Sequence, residues 1–162
     1  MNEEEKDIHQ TLRKNLEKAY NDVRLLSHNL LPEEFEKQGL VPTLQGFVRK
    51  ISKNSTIRFD LAIAEDFGRV DNKIEFELYS ICLELVNNII KHSKATQATI
   101  ALSKTDNSLS LTVKDNGKGI FENNSDGKGM KNVKARVESL GGTWDITSKE
   151  NAGTNSTIII PM

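Results

Sequence analysis

The sequence predicts an α+β fold, a two-layer α/β sandwich with helices on one face of a mixed β-sheet, preceded by a long N-terminal α-helix. Three observations predict it. Glu3 to Leu31 contains no Pro or Gly and carries apolar residues at spacings of three and four. Beyond it, stretches with a helical period alternate with stretches of period two. Neighbouring strand-like stretches are joined by short turns, so some pairs are hairpins and the sheet is mixed.

Ile8, Leu12, Leu16, Ala19, Tyr20, Val23, Leu26 and Leu30 form the apolar seam of the first helix. At 1.5 Å per residue it would extend roughly 40 Å, too long and too narrowly striped for a core helix, so the seam packs on another helix. Pro32 ends it. Glu33 to Gln38 is a short acidic turn or helix stopped by Gly39, and a helix starting near Pro42 carries Leu44, Phe47, Val48 and Ile51 on one face until Asn54-Ser55. Thr56 to Ala62 alternates Ile57, Phe59 and Leu61 with other residues, a half-buried strand, and Phe67-Gly68-Arg69 turns the chain. Lys73 to Lys94 is a helix apolar over more than half its surface, and should be the most buried one. Ala98 to Leu102 and Leu109 to Val113 are strands joined at Thr105-Asp106-Asn107-Ser108. Gly129 to Leu140 is a helix ended by Gly141-Gly142, and Thr143 to Thr147 and Ser156 to Ile160 are closing strands. There is no internal repeat and no low-complexity segment.

Composition excludes several function classes. With 22 basic and 23 acidic residues among 162, the net charge of −1 leaves no electrostatic footprint for nucleic acid or a lipid surface. The single cysteine, Cys82, sits in an apolar helical stretch without metal-ligand neighbours and reads as core packing in a reducing compartment. No apolar run approaches the roughly 20 residues of a membrane span, and the acidic start from Met1 to Glu5 is unlike a targeting peptide. These readings predict a soluble, cytosolic chain.

Glu84, Asn88 and His92 are spaced i, i+4, i+8 and so form a polar stripe on the most apolar helix. An amide oxygen and a carboxylate four residues apart can hold a hydrated magnesium ion, and Lys91 and His92 can reach phosphate. Asp115-Asn116-Gly117-Lys118-Gly119 follows a strand; its glycines let backbone approach a ligand, and a carboxylate in an apolar pocket can accept a hydrogen bond from adenine's exocyclic amine. Residues 119 to 129 have few apolar anchors and the character of a lid, and Gly127-Lys128-Gly129 opens a helix whose free N–H groups suit a phosphate chain. Gly153-Thr154 can place a hydroxyl near the base. Taken singly, these patterns also fit a solvated helix face with a basic C-terminal end, a plain D-N-G turn, a tight loop-to-helix junction and a hairpin turn. Taken in order, they are what a metal-bound triphosphate and an adenine pocket require. No Walker loop or dinucleotide fingerprint occurs.

The runs E-L-V-N-N-I-I-K-H, D-N-G-K-G-I, G-K-G-M-K-N-V-K-A-R-V-E-S-L-G-G and G-T-N-S-T-I-I-I-P resemble, in order, the N box and glycine boxes of the catalytic domain of sensor histidine kinases. The short-lid branch of nitrate-sensor and desaturase-sensor kinases matches best, over roughly residues 40 to 162. The resemblance implies a Bergerat-type ATP-binding fold of the GHKL superfamily, shared with gyrase, mismatch-repair ATPases and related chaperones. It implies ATP and Mg2+ as ligands, with Asn88 on magnesium and Glu84 as the N-box acid orienting water or the incoming imidazole. Lys91 and His92 would face the phosphates and Asp115 the adenine amine; Gly117 and Gly119 would shape the wall, Gly127 and Gly129 frame the lid, and Thr154 assist at the base. The implied reaction moves the γ-phosphoryl group of ATP to a histidine on a helical hairpin, then to an aspartate of a response regulator receiver domain.

Val23 to Pro32 resembles the end of the second helix of the dimerisation hairpin, so residues 1–38 are expected to be its remnant with a linker and residues 39–162 the catalytic domain. His9 precedes Gln10 and His28 precedes Asn29, unlike an acceptor, so no phosphoacceptor is assigned and both are ordinary helix residues. The implied partners are ATP, a receiver domain and the dimerisation helices of the same kinase, with no nucleic acid and no membrane contact by this fragment. Two other readings remain: an anti-sigma serine kinase of the same superfamily, and a non-catalytic adaptor using the fold as a platform. The hairpin remnant and R-V-E-S-L-G-G argue against the first, the presence of Asn88 and Asp115 against the second.

Overall fold

The structure, a computed structural model, describes residues 6–8, 10–11, 33–120 and 127–162. The chain divides into two compact units, Met1–Glu33 and Glu34–Met162. In the first, residues 6–8 and 10–11 are helical, as the periodicity predicts; the rest of the expected long helix, with His9 and His28, lies outside the described residues, as does most of the expected lid, residues 121–126.

The second unit starts within α1 (Glu33–Gln38), which Gly39 joins to α2 (Leu40–Asn54). Gly39 has φ 78°, and a side chain there would collide with the Arg69 guanidinium. Pro42 lies in the first turn of α2, where a missing N–H costs nothing, so the helix begins ahead of it. β1 (Arg58–Ile63) leads to α3 (Asn72–Asn88), capped by Asp71, whose carboxylate accepts the N–H groups of Lys73 and Ile74 at 2.9 and 3.4 Å. The expected single helix to Lys94 instead changes pitch: Ile89–Ser93 forms a π turn, stopped by Lys94 at φ 53°. β2 (Gln97–Lys104) and β3 (Ser108–Asp115) form a hairpin, and α4 (Lys128–Ser139) ends where Gly142 N–H bonds to the Val137 carbonyl at 3.0 Å. β4 (Thr143–Lys149) and β5 (Gly153–Pro161) form a second hairpin.

The sheet order is β1-β2-β3-β5-β4, with β1 parallel to β2 and every other pair antiparallel, so the sheet is mixed and α3 is the crossover between its parallel strands. Alternate residues of β2, β3 and β5 are buried, which puts the helices on one face. Ile100, Leu111, Ile158 and Ile160 on that face meet Leu78, Ile81 and Val86 of α3 and Val133 of α4 in one core. Cys82 is fully buried there, and burial pushes its thiol up to about 12, as suits packing rather than chemistry.

Two polar links fix α3. Its fully buried Glu75 accepts Arg69 Nε at 3.0 Å and Val70 N–H at 3.1 Å, and Arg136 of α4 bonds to Glu77 at 2.6 Å. Phe35 is also buried, with ring centroids 6.2 Å from Phe76 and 5.6 Å from Tyr79. The core therefore reaches back into the segment that the sequence pattern assigns to the linker.

Candidate functional site

A cavity of about 530 Å³ opens between the C-terminal part of α3, the ends of β3 and β5, and the start of α4. Its floor follows from strand register. Asp115 and Val113 of β3 stand opposite Thr154 and Ser156 of β5, and all four line the cavity. Leu85 and Ile89 of α3 supply an apolar wall, with Asn88 and His92 above them.

Asp115 is 6 % exposed, and burial raises its pKa; the Gly117 N–H, 2.7 Å from Oδ1, and the Thr154 backbone N–H pull the other way. Two polarised donors hold the carboxylate in place. Its own turn is built on close approaches. A side chain on Gly117 would collide with the Ser93 carbonyl, Gly119 at φ 83° would put one 2.6 Å from the Lys149 carbonyl, and Gly153 at φ 84° packs on the Asp115 backbone. Asn116 ties the turn to β2: its Oδ1 accepts the Thr96 and Gln97 N–H groups at 2.9 Å each, and its Nδ2 donates to Thr96 Oγ1 at 2.9 Å.

The π turn completes the wall. Ser93, five residues after Asn88, would point away from it in an α-helix, whereas the wider turn swings Ser93 onto the cavity side. Its hydroxyl donates to the Ile89 carbonyl at 2.7 Å and accepts Ala95 N–H at 3.0 Å, and its own carbonyl accepts Lys118 N–H at 2.8 Å. Asn88 donates Nδ2 to Met130 Sδ at 3.6 Å, which links α3 to α4 and leaves the amide oxygen available.

Of the residues singled out from sequence, Asn88, His92, Asp115 and Thr154 line the cavity, as do Gly119, Gly127 and Gly129. Glu84 is half-buried one turn before Asn88, where a side chain on Gly129 would meet its carboxylate. Gly117 is buried behind the Asp115 carboxylate. Lys91 is exposed and does not line the cavity, because the π turn carries it past the polar stripe. Among the described residues, none beyond its chain neighbours comes within 4 Å of where a methyl group on Gly127 would sit, so none of them demands glycine there on steric grounds.

Sequence reasoning missed three serines. Besides Ser93, Ser148 accepts Ile120 N–H at 2.8 Å and shares a hydrogen bond with Thr154 Oγ1 at 3.0 Å, and Ser156 lies in the cavity floor. Ser156 alternates with Ile158 and Ile160 along β5, a period-two signal that would have put it on the covered face had it been used; nothing local marks the other two.

Residues 73–162 match the family of histidine kinase-, DNA gyrase B-, and HSP90-like ATPases. Over 153 residues the chain is 29% identical to the signal transduction histidine-protein kinase/phosphatase DegS of Brevibacillus brevis, covering 93% of this chain and 40% of that protein. It is 31% identical over 156 residues to the sensor protein VraS of Staphylococcus saprophyticus, covering 93% of this chain and 44% of that one. The chain thus spans less than half the length of these relatives. Among solved structures, the blue-light activated histidine kinase of Erythrobacter litoralis EL346 superposes with a TM-score of 0.74 at 20% identity, over 91% of this chain and 49% of that one. The histidine kinase AdeS of Acinetobacter baumannii gives 0.68 at 18% identity, over 95% and 83%. The order of the motifs, the mixed sheet and the buried aspartate in the cavity floor agree with the match over residues 73–162: this chain belongs to the histidine kinase-, DNA gyrase B- and HSP90-like ATPase family.

Proposed function

We propose that the cavity binds ATP and that the domain transfers its γ-phosphoryl group to a histidine on a dimerisation hairpin of a sensor kinase, for relay to a response regulator receiver domain. The observation that carries the reading is Asp115, a buried carboxylate at the floor of a largely apolar cavity. Such an acceptor favours a flat base bearing an exocyclic amine and disfavours one lacking that donor. Thr154 stands opposite it, Gly119 lets backbone close on the base, and Gly127 and Gly129 offer the N–H groups at the start of α4 to the phosphates. His92 lines the same cavity, and Lys91, exposed and outside its lining, would meet the phosphates only from the solvent side.

Magnesium fits the donor set in one respect: the Asn88 amide nitrogen is engaged by Met130, which reserves the carbonyl oxygen for a hard cation. No cluster of three His, Cys, Asp or Glu side chains occurs among the described residues, so the nucleotide and water would complete the coordination. When bound, the ion would neutralise charge on the phosphates. In this reading Glu84, one turn before Asn88, would orient the incoming imidazole. Residues 1–38 are read as the end of the hairpin with its linker and residues 39–162 as the catalytic domain. Among the described residues no helix is long and apolar enough to cross a membrane; an ATP-dependent domain would work in the cytoplasm.

Calorimetric titration with ATP, with and without magnesium, tests the reading, joined to phosphoryl transfer onto a supplied acceptor hairpin. Saturable binding in the micromolar to millimolar range, about −8 to −4 kcal/mol, is expected. Asn88→Ala should keep magnesium-free binding and lose transfer by at least about a hundredfold, as the γ-phosphate loses its metal anchor. Full transfer by that variant would remove Asn88 from the role, and a folded protein without ATP binding would favour an adaptor.

A further inference from the structure

The floor of the cavity contains one polar side chain that the ATP reading leaves without a task. Ser156 is 4 % exposed, lines the cavity, and its hydroxyl has no hydrogen-bond partner among the described residues. Its neighbours are accounted for. Thr154 Oγ1 is joined to Ser148 at 3.0 Å, and the Asp115 carboxylate accepts the backbone N–H groups of Gly117 and Thr154. Ser156 is not among the residues whose buried polar atoms are shut off from any partner, so its hydroxyl is open to whatever fills the cavity, water or ligand.

The strand register shows what it faces. Asp115 stands opposite Thr154 and Val113 opposite Ser156, so Asp115 and Ser156 are the diagonal corners of a four-residue square on adjacent antiparallel strands. Diagonal partners sit about 7–8 Å apart, with Cβ atoms somewhat closer, which leaves room between the two polar groups for one water or the edge of an aromatic base. Val113 is the sole apolar corner, and Leu85 and Ile89 cover the square from the helix side. A base entering edge-on therefore meets two polar groups at the floor.

Resting on the ATP reading, we infer that Ser156 is a second base-reading residue: its hydroxyl, directly or through one water shared with Asp115, contacts the 6-amino edge of the adenine ring. Asp115 supplies a charged acceptor for the amine. Ser156 supplies a hydroxyl oxygen that accepts from the amine without a charge of its own. An alanine or valine there would hold the ring by packing alone and leave the edge read by Asp115 only. Selectivity for the 6-amino group is thus divided between β3 and β5.

The test is calorimetric binding of ATP and of purine riboside triphosphate, which lacks the 6-amino group, to the whole chain and to Ser156→Ala and Ser156→Thr. Ser156→Ala should weaken ATP about three- to tenfold and leave the analogue within about twofold, so that the ratio of the two affinities falls. Ser156→Thr, which keeps a hydroxyl, should retain most of the wild-type ratio. Equal weakening of ATP and analogue would make Ser156 a packing residue, and unchanged ATP affinity would remove it from the site; either overturns the inference while ATP binding stands. Wild-type protein that binds neither nucleotide overturns the ATP reading, and this inference with it. Thermal unfolding without nucleotide separates both cases from a variant that does not fold.

Discussion

The carbonyl oxygen of Ser93 lies against the α-carbon of Gly117, so close that no side chain fits between them. The contact joins the π turn of α3 to the turn after β3, and the Lys118 N–H fastens the same carbonyl at 2.8 Å.

Gly117→Ala must push these turns apart or rotate the Asp115 carboxylate, whose Oδ1 lies 2.8 Å from the added methyl position. The expected cost is about 2–3 kcal/mol in unfolding free energy, with a loss of ATP affinity of tenfold or more. Gly127→Ser is the contrast. It has open space and φ −63°, and a hydroxyl there can cap α4, so stability should be unchanged or gain about 0.5 kcal/mol. Urea denaturation of both variants checks the pair, and equal losses would show that the second glycine is also under steric constraint.

Asp115 makes stability depend on pH in a direction opposite to most carboxylates. Burial raises its pKa in the folded state above the ordinary value of 3.8, so between the two the folded chain holds more protons than the unfolded one. Its contribution to stability is fully present below 3.8 and is lost as pH rises through the raised value. Asp115→Asn removes this dependence. Measured by denaturant titration at a series of pH values, the variant should gain on wild type as pH rises through that window, while its ATP affinity at neutral pH falls by at least about tenfold. A constant difference in stability across the window would show that the carboxylate is not desolvated.

Truncation distinguishes core from linker. Residues 34–162 should fold as a monomer, because Phe35 keeps its place against Phe76 and Tyr79. Residues 39–162 lack Phe35 and should be less stable by about 3–5 kcal/mol. Equal melting temperatures for the two would mean that Phe35 contributes no core energy.

Periodicity made much of this legible. The four-residue spacing of Glu84, Asn88 and His92 is local information, and so is Gly141-Gly142 as a stop, whereas the cap at Asp71 went unread. The π turn was not legible, since IIKHS contains nothing that excludes an α-helix; its wider pitch is held by Ser93 and by the turn at Lys118, which is distant in sequence. For the same reason Lys91, which the sequence pattern groups with His92, is exposed and outside the cavity lining. Asp115 and Asn116 share one motif but differ in task, the first facing the cavity and the second stapling β2, and only the register of β2 with β3 separates them. Ser148 and Ser156 matter because β5 lies beside both β3 and β4, a pairing that no short stretch of sequence contains.

β5 is the last strand of the domain yet lies inside the sheet, between β3 and β4. During synthesis, at about 5–20 residues per second, β3 therefore emerges long before its neighbour and waits with an unpaired edge. Until Gly153–Pro161 slots in, Asp115 has no Thr154 opposite it and Leu111 has no Ile158 beside it. The cavity and the closure of the sheet are thus the same event, and a nascent chain has no floor beneath that cavity before β5 arrives.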